Sequence, residues 1–307
     1  MSDLTDPTNA TSLAVKRGAF VGFSAGAAAL GGSIASALAA GEGFGAAHDP
    51  IVAESDPAIA ATTLSLRYTY GGSARALAAY AALPKNAVAD TPGIVVVQQI
   101  WGLDAQLRDV VRRFAKEGYC TIAPDLYSGL GAPSGDGATD VGAFRPFAAK
   151  LEDDTVDHDV AQCAAWLRLT RPSATIGVTG FCMGGGITLR QTVDEKSVFA
   201  AAAMWYGKVR YGTTEGGGPI TPIALAYADE IGIPLLGSFG GRDTSIFADD
   251  VRALDARLTE LGRPHDIKIY DEAGHAFFDD TRRSFVASAA ADSWTRTLSW
   301  FARYLRR

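Results

Sequence analysis

The stretch ATIGVTGFCMGGGITLR, residues 174–190, decides the fold. Its first half, Ala174 to Phe181, is a short apolar run, the pattern of a strand buried on both faces. From Gly184 to Glu195 the residues suit a helix. Between them stands one cysteine in Gly180-Phe181-Cys182-Met183-Gly184, a G-x-Nuc-x-G arrangement. Such a turn holds the central residue on a strained backbone, and small neighbours let strand and helix close on each other. It lifts the side chain over the carboxyl edge of the sheet, where open α/β sheets bind ligands. The new helix turns its N-terminus toward the same place, and its dipole favours thiolate.

The rest of the chain fits that unit. ATTLSLRYTY (61–70) alternates as a strand, and ARALAAYAAL (74–83) is either its hairpin partner or a short helix. GIVVVQQI (93–100) and YCTIAPDLY (119–127) read as strands around a helix from Asp104 that ends at Gly118. A turn-rich cover, SGLGAPSGDGATD (128–140), precedes a helix over 143–170. Further strands fall at 197–207, 233–241 and 265–271, and helices follow Phe247 and surround Trp294. Alternation of this kind predicts a doubly wound, mostly parallel sheet with helices on both faces. Residues 61–307 are expected to form one domain, after a linker over 41–60.

Residues 1–40 differ in character. Lys16 and Arg17 precede a charge-free, Gly/Ala-rich run that ends in Ala37-Leu38-Ala39. That order matches an export signal with an A-x-A cleavage pattern; a disordered arm is the other reading. Export would place the protein in the periplasm or outside the cell, and a disordered arm would leave it cytoplasmic. Across 307 residues the formal net charge is −6. The acidic balance argues against nucleic acid as a partner, and the glycines and serines make residues 18–40 a poor permanent membrane span. Three cysteines without C-x-x-C spacing give no disulfide framework and no zinc site. Cys120 and Cys163 read as core residues, with a bond between them left open.

Two further groups complete a catalytic pattern. Asp243 follows a strand in LLGSFGGRD, and His275 follows the next strand in IKIYDEAGH. The order Cys182, Asp243, His275 is that of nucleophile, acid and base in α/β hydrolases. The backbone N–H groups of Met183 and of Ile100, in the turn after GIVVVQQI, are the expected oxyanion donors.

The segments GFCMGGG, VVVQQIWGL, APDLY, GGRD and DEAGHAF together resemble the dienelactone hydrolase (carboxymethylenebutenolidase) family. The resemblance spans about residues 60–307. It implies an α/β-hydrolase fold, a Cys–Asp–His triad that opens a small ester or lactone, and neither cofactor nor metal. It also implies that Tyr127 and Tyr206 line the site; Gln99, Trp101, Arg145 and Phe277 complete the expected lining. The chain departs from the family at two positions. Gln99 stands where the family carries glutamate, and Asp279 where it carries an arginine for the substrate carboxylate. Arg145, Arg282 or Arg283 is expected to supply the missing positive charge. The neutral Gln99 motivates a second reading: a catalytically silent relative that binds a small molecule or senses thiol oxidation.

Overall fold

The computed structural model describes residues 31–40, 49–193, 197–209 and 228–306. Its centre is an eight-stranded sheet: β1 (Ile59–Tyr70), β2 (Ser73–Pro84), β3 (Gly93–Val97), β4 (Cys120–Pro124), β5 (Ile176–Phe181), β6 (Ala201–Trp205), β7 (Leu235–Gly240) and β8 (His265–Tyr270). The spatial order is β1-β2-β4-β3-β5-β6-β7-β8. The β1–β2 and β2–β4 pairings are antiparallel, and the others are parallel. Residues 74–83 are thus the hairpin partner and not a helix. Every residue of β3, β4, β5, β6 and β7 is buried, as parallel strands covered on both faces require.

The α-helices among the described residues include α1 (Gly31–Ala39), α2 (Ala105–Lys116), α3 (Arg145–Ala148), α4 (Asp153–Thr170), α5 (Met183–Arg190), α6 (Ala248–Glu260) and α7 (Ala287–Leu305). One core layer joins Phe114 of α2 and Trp294 and Phe301 of α7 to one face of the sheet. The other joins Val160, Cys163 and Leu167 of α4 and Leu254 and Leu258 of α6 to the opposite face. No helix among the described residues is long and apolar enough to cross a membrane.

Two helices are shorter than their sequence patterns. The helix expected over 143–170 is broken: Lys150 and Leu151 donate to Phe147 and Ala148, three residues back, which closes α3 before α4 begins. Leu151 then packs inward. The helix expected to reach Glu195 stops at Arg190, and the Thr192 hydroxyl donates to the Leu189 carbonyl at 2.6 Å. Residues 194–196 lie outside the described set.

Residues 1–30 and 41–48 also lie outside it, and with them most of the export-signal reading and part of the linker. The rest of that stretch is packed. Ile34 and Leu38 of α1 are buried in the layer that holds α7. Ile51 and Val52 donate their backbone N–H groups to the Asp109 carboxylate of α2, each at 2.9 Å. Cys120 and Cys163 are separate free thiols, both buried, and burial raises the pKa of each.

Candidate active site

Cys182 follows β5 and opens α5 with φ 54° and ψ −115°, a backbone conformation that a non-glycine residue adopts only under constraint. The constraint is close packing. A Cβ on Gly180 would stand 2.3 Å from the Gly184 carbonyl oxygen, and one on Gly184 would stand 2.4 Å from that of Val97. The glycines therefore let α5 press against the ends of β5 and β3. The Cys182 N–H donates to the Trp205 carbonyl at 3.0 Å. Cys182 itself is partly exposed, unlike Cys120 and Cys163.

Asp243 and His275 leave the carboxyl ends of β7 and β8. Their loops are tied together: Gly241 donates to Tyr270 and Arg242 to Ala273, both at 2.8 Å. His275 Nδ1 and Asp243 Oδ2 are 2.7 Å apart. The other Asp243 oxygen accepts the N–H groups of Ser245 and Ile246 at 2.8 and 3.0 Å. Burial pushes the Asp243 carboxyl up, but these bonds outweigh it and hold the group below its ordinary range. Burial likewise lowers the His275 pKa; its hydrogen bonds to Asp243 and Cys182, with the charge on each, outweigh that and bring it to about 10. Of the three groups named from sequence, His275 and Asp243 are thus joined by a hydrogen bond, and Cys182 lies near enough to the imidazole to help raise its pKa.

Met183 begins α5, so its N–H is one of the unsatisfied donors at the helix start. Ile100 and Met183 both pack against the cluster of Trp101, Tyr127 and Phe144. The Tyr127 hydroxyl donates to the Ile100 carbonyl at 2.9 Å. Tyr206 is buried, with its ring 5.3 Å from that of His275 and 5.4 Å from that of Phe277. Its backbone is also strained, at φ 37°. Arg145 is exposed at the start of α3; the neighbouring Phe144 and Phe147 face the Trp101 cluster instead. The turn thus exposes the charged side chain and buries the rings.

The two departures at positions 99 and 279 turn out to be one feature. Gln99 Nε2 donates to Asp279 Oδ2 at 2.9 Å, and both residues are buried. Asp279 also accepts from Arg282 Nε at 2.9 Å, from the Thr281 N–H at 3.1 Å and from the Thr281 hydroxyl at 2.6 Å. Its carboxylate is thus satisfied internally and is not presented to a ligand. A glutamate at 99 would bring two buried carboxylates together, which burial penalises strongly. Of the three candidate arginines, Arg282 is the one that pairs with Asp279. It lies 3.7 Å from the centre of the Trp101 ring, donates to the Ala138 carbonyl at 2.7 Å, and faces Asp104 at 3.7 Å. Arg283 is exposed.

Asp104 had only a structural signal in the sequence, an aspartate just before a helix. It caps α2 through the Leu107 N–H at 2.9 Å, and burial raises its pKa to about 7. The expected cover over 128–140 is held by the same neighbourhood: Asp136 accepts from Ala105 N–H and Arg108, and Ala138 from Arg282. A cleft of about 410 Å³ runs under this cover between Ala78, Trp101, Asp125, Tyr127 and Gly135. Cys182, Asp243 and His275 do not line it.

The model of the dienelactone hydrolase family matches residues 77–305. The chain belongs to that family. A Salmonella typhimurium protein provisionally named carboxymethylenebutenolidase is 37% identical over 227 residues, which cover 74% of this chain and 82% of the relative. The crystal structure of a provisionally assigned dienelactone hydrolase from Klebsiella pneumoniae superposes with a TM-score of 0.69 at 34% identity, covering 80% of this chain and all of the other. The Pyrococcus horikoshii acylaminoacyl peptidase, at 17% identity and a TM-score of 0.60, covers 80% of this chain and 42% of its own and shares the fold alone. This dienelactone hydrolase family member thus has an α/β-hydrolase fold and is a hydrolase by kinship.

Proposed function

We propose that the protein hydrolyses small esters or lactones through a thioester on Cys182. The observation that supports this most is the His275–Asp243 pair set beside Cys182, which sits on a strained strand–helix turn. His275 holds the thiol proton as imidazolium, leaving a thiolate. The sulfur attacks the ester carbonyl, and the tetrahedral oxyanion takes hydrogen bonds from the Ile100 and Met183 N–H groups. Collapse breaks the carbon–oxygen bond of the leaving alcohol, and His275 returns its proton to that oxygen. Water then adds to the thioester with His275 as base, the acid departs, and the thiol is regenerated. Asp243 keeps the imidazole in its working tautomer and stabilises its charged form.

The chemistry needs no cofactor. Asp279 is buried and paired with Arg282, so carboxylate-bearing lactones stand beside neutral esters as candidate substrates. Replacement of Cys182 by alanine tests the reading with p-nitrophenyl esters and an unsaturated lactone. The expected result is turnover at the level of the uncatalysed reaction with an unchanged melting temperature. Retained turnover would refute it.

A further inference from the structure

We propose that Tyr127 and Gln99 are positioning residues that hold the Ile100 N–H as a preformed oxyanion donor. The proposal rests on the thioester reading above and adds the residues that fix its geometry. Residues 99–102 form a tight turn closed by the Gly102 N–H on the Gln99 carbonyl at 3.2 Å, with Gly102 at φ 79°. The Gln99 carbonyl and the Ile100 N–H belong to one planar trans peptide, so they point in opposite directions. Fixing the carbonyl therefore fixes the donor.

Two side chains flank that peptide: one holds the next peptide along, and the other belongs to the residue before it. The Tyr127 hydroxyl, on a residue 4% exposed, donates to the Ile100 carbonyl at 2.9 Å. The Gln99 side chain is anchored on Asp279, itself held by Arg282 and Thr281. Gln98 Oε1 also accepts the Leu126 N–H at 2.9 Å, which ties the turn to the segment that carries Tyr127. The second donor is brought to the same place by packing. Gly184 lies so close to the Val97 and Gln98 carbonyls that a Cβ would stand 2.4 and 2.5 Å from them. The start of α5, with the Met183 N–H, is thereby pressed against the strand end from which the 99–102 turn departs. A peptide free to flip would present its carbonyl to the developing oxyanion; the paired locks oppose that flip.

The test uses Tyr127→Phe and Gln99→Met, which keep ring and length but remove the hydrogen bonds. Steady-state hydrolysis of p-nitrophenyl acetate, the rate of Cys182 alkylation by iodoacetamide and the melting temperature are measured for each. Loss of a whole oxyanion donor costs about 10²–10³ in kcat. Loosening one is expected to lower kcat by roughly tenfold with KM little changed, and more in the double variant. Alkylation has no oxyanion and is expected to proceed at the parent rate, which a general disturbance of the site would not allow. Parent kcat in both variants, or alkylation falling in step with kcat, would overturn the proposal. Cys182→Ala in the same series reads the thioester mechanism separately, since retained turnover there would end that mechanism whatever the other two variants do.

Discussion

At the residue scale, the site is governed by which charges each side chain meets. His275 carries a raised pKa because its bonds to Asp243 and Cys182 outweigh its burial. The imidazolium therefore persists through neutral pH and is lost as pH rises through about 10. For an alkyl ester, whose leaving group needs that proton, kcat/KM is expected to fall on the alkaline side over the same range. Asp243→Asn removes one of the contributions that raise the pKa, so the alkaline limb should move to lower pH. A pH–rate profile of the two proteins checks this, and a limb that stays in place would count against the assignment. That Cys182, Asp243 and His275 follow strands β5, β7 and β8 was legible from sequence because position at a strand end is a local property. The meaning of Gln99 and Asp279 was not. Each departs from the family alone, and only the fold shows that 180 residues apart they share one hydrogen bond.

At the element scale, the strand–turn–helix at 176–190 was readable because glycine spacing, apolar run and helix start all agree. The hairpin β1–β2 was ambiguous, since alanine-rich ARALAAYAAL suits a helix as well, and pairing with β1 and β4 decides for the strand. The first helix poses a sharper question. An export signal cut after Ala39 is removed, whereas α1 packs against α7 with Ile34 and Leu38 buried. Burying one such side chain contributes about 1.5–3 kcal/mol, and each kcal/mol moves the melting temperature of a domain this size by about 2–4 °C. A chain that begins at Ala40 is therefore expected to melt several degrees below the full chain in a calorimetric comparison. Equal melting temperatures would mean that α1 adds nothing to the domain and would favour its role as a removable signal.

At the scale of the whole molecule, the parallel sheet gathers residues from five separate segments at one edge. Position 99 follows β3, 127 follows β4, 182 follows β5, 243 follows β7 and 275 follows β8. The sheet brings them together because parallel strands all end on the same side. Remote packing fixes the same edge: buried Arg113 of α2 pairs with Asp109 and with Asp280, next to the residue that anchors Gln99. Such couplings across 167 residues have no local signature, so the sequence could suggest the candidate triad but not the frame around it. Hydrolysis through a thioester requires that the Cys182 sulfur become acylated. Its most direct measurement is peptide mass spectrometry on protein quenched in acid during turnover of p-nitrophenyl acetate. The expected result is one acetyl group on the peptide that carries Cys182, lost as substrate is exhausted. Continued turnover with Cys182 unmodified at every time point, and with the acetyl group absent or on another residue, would contradict it.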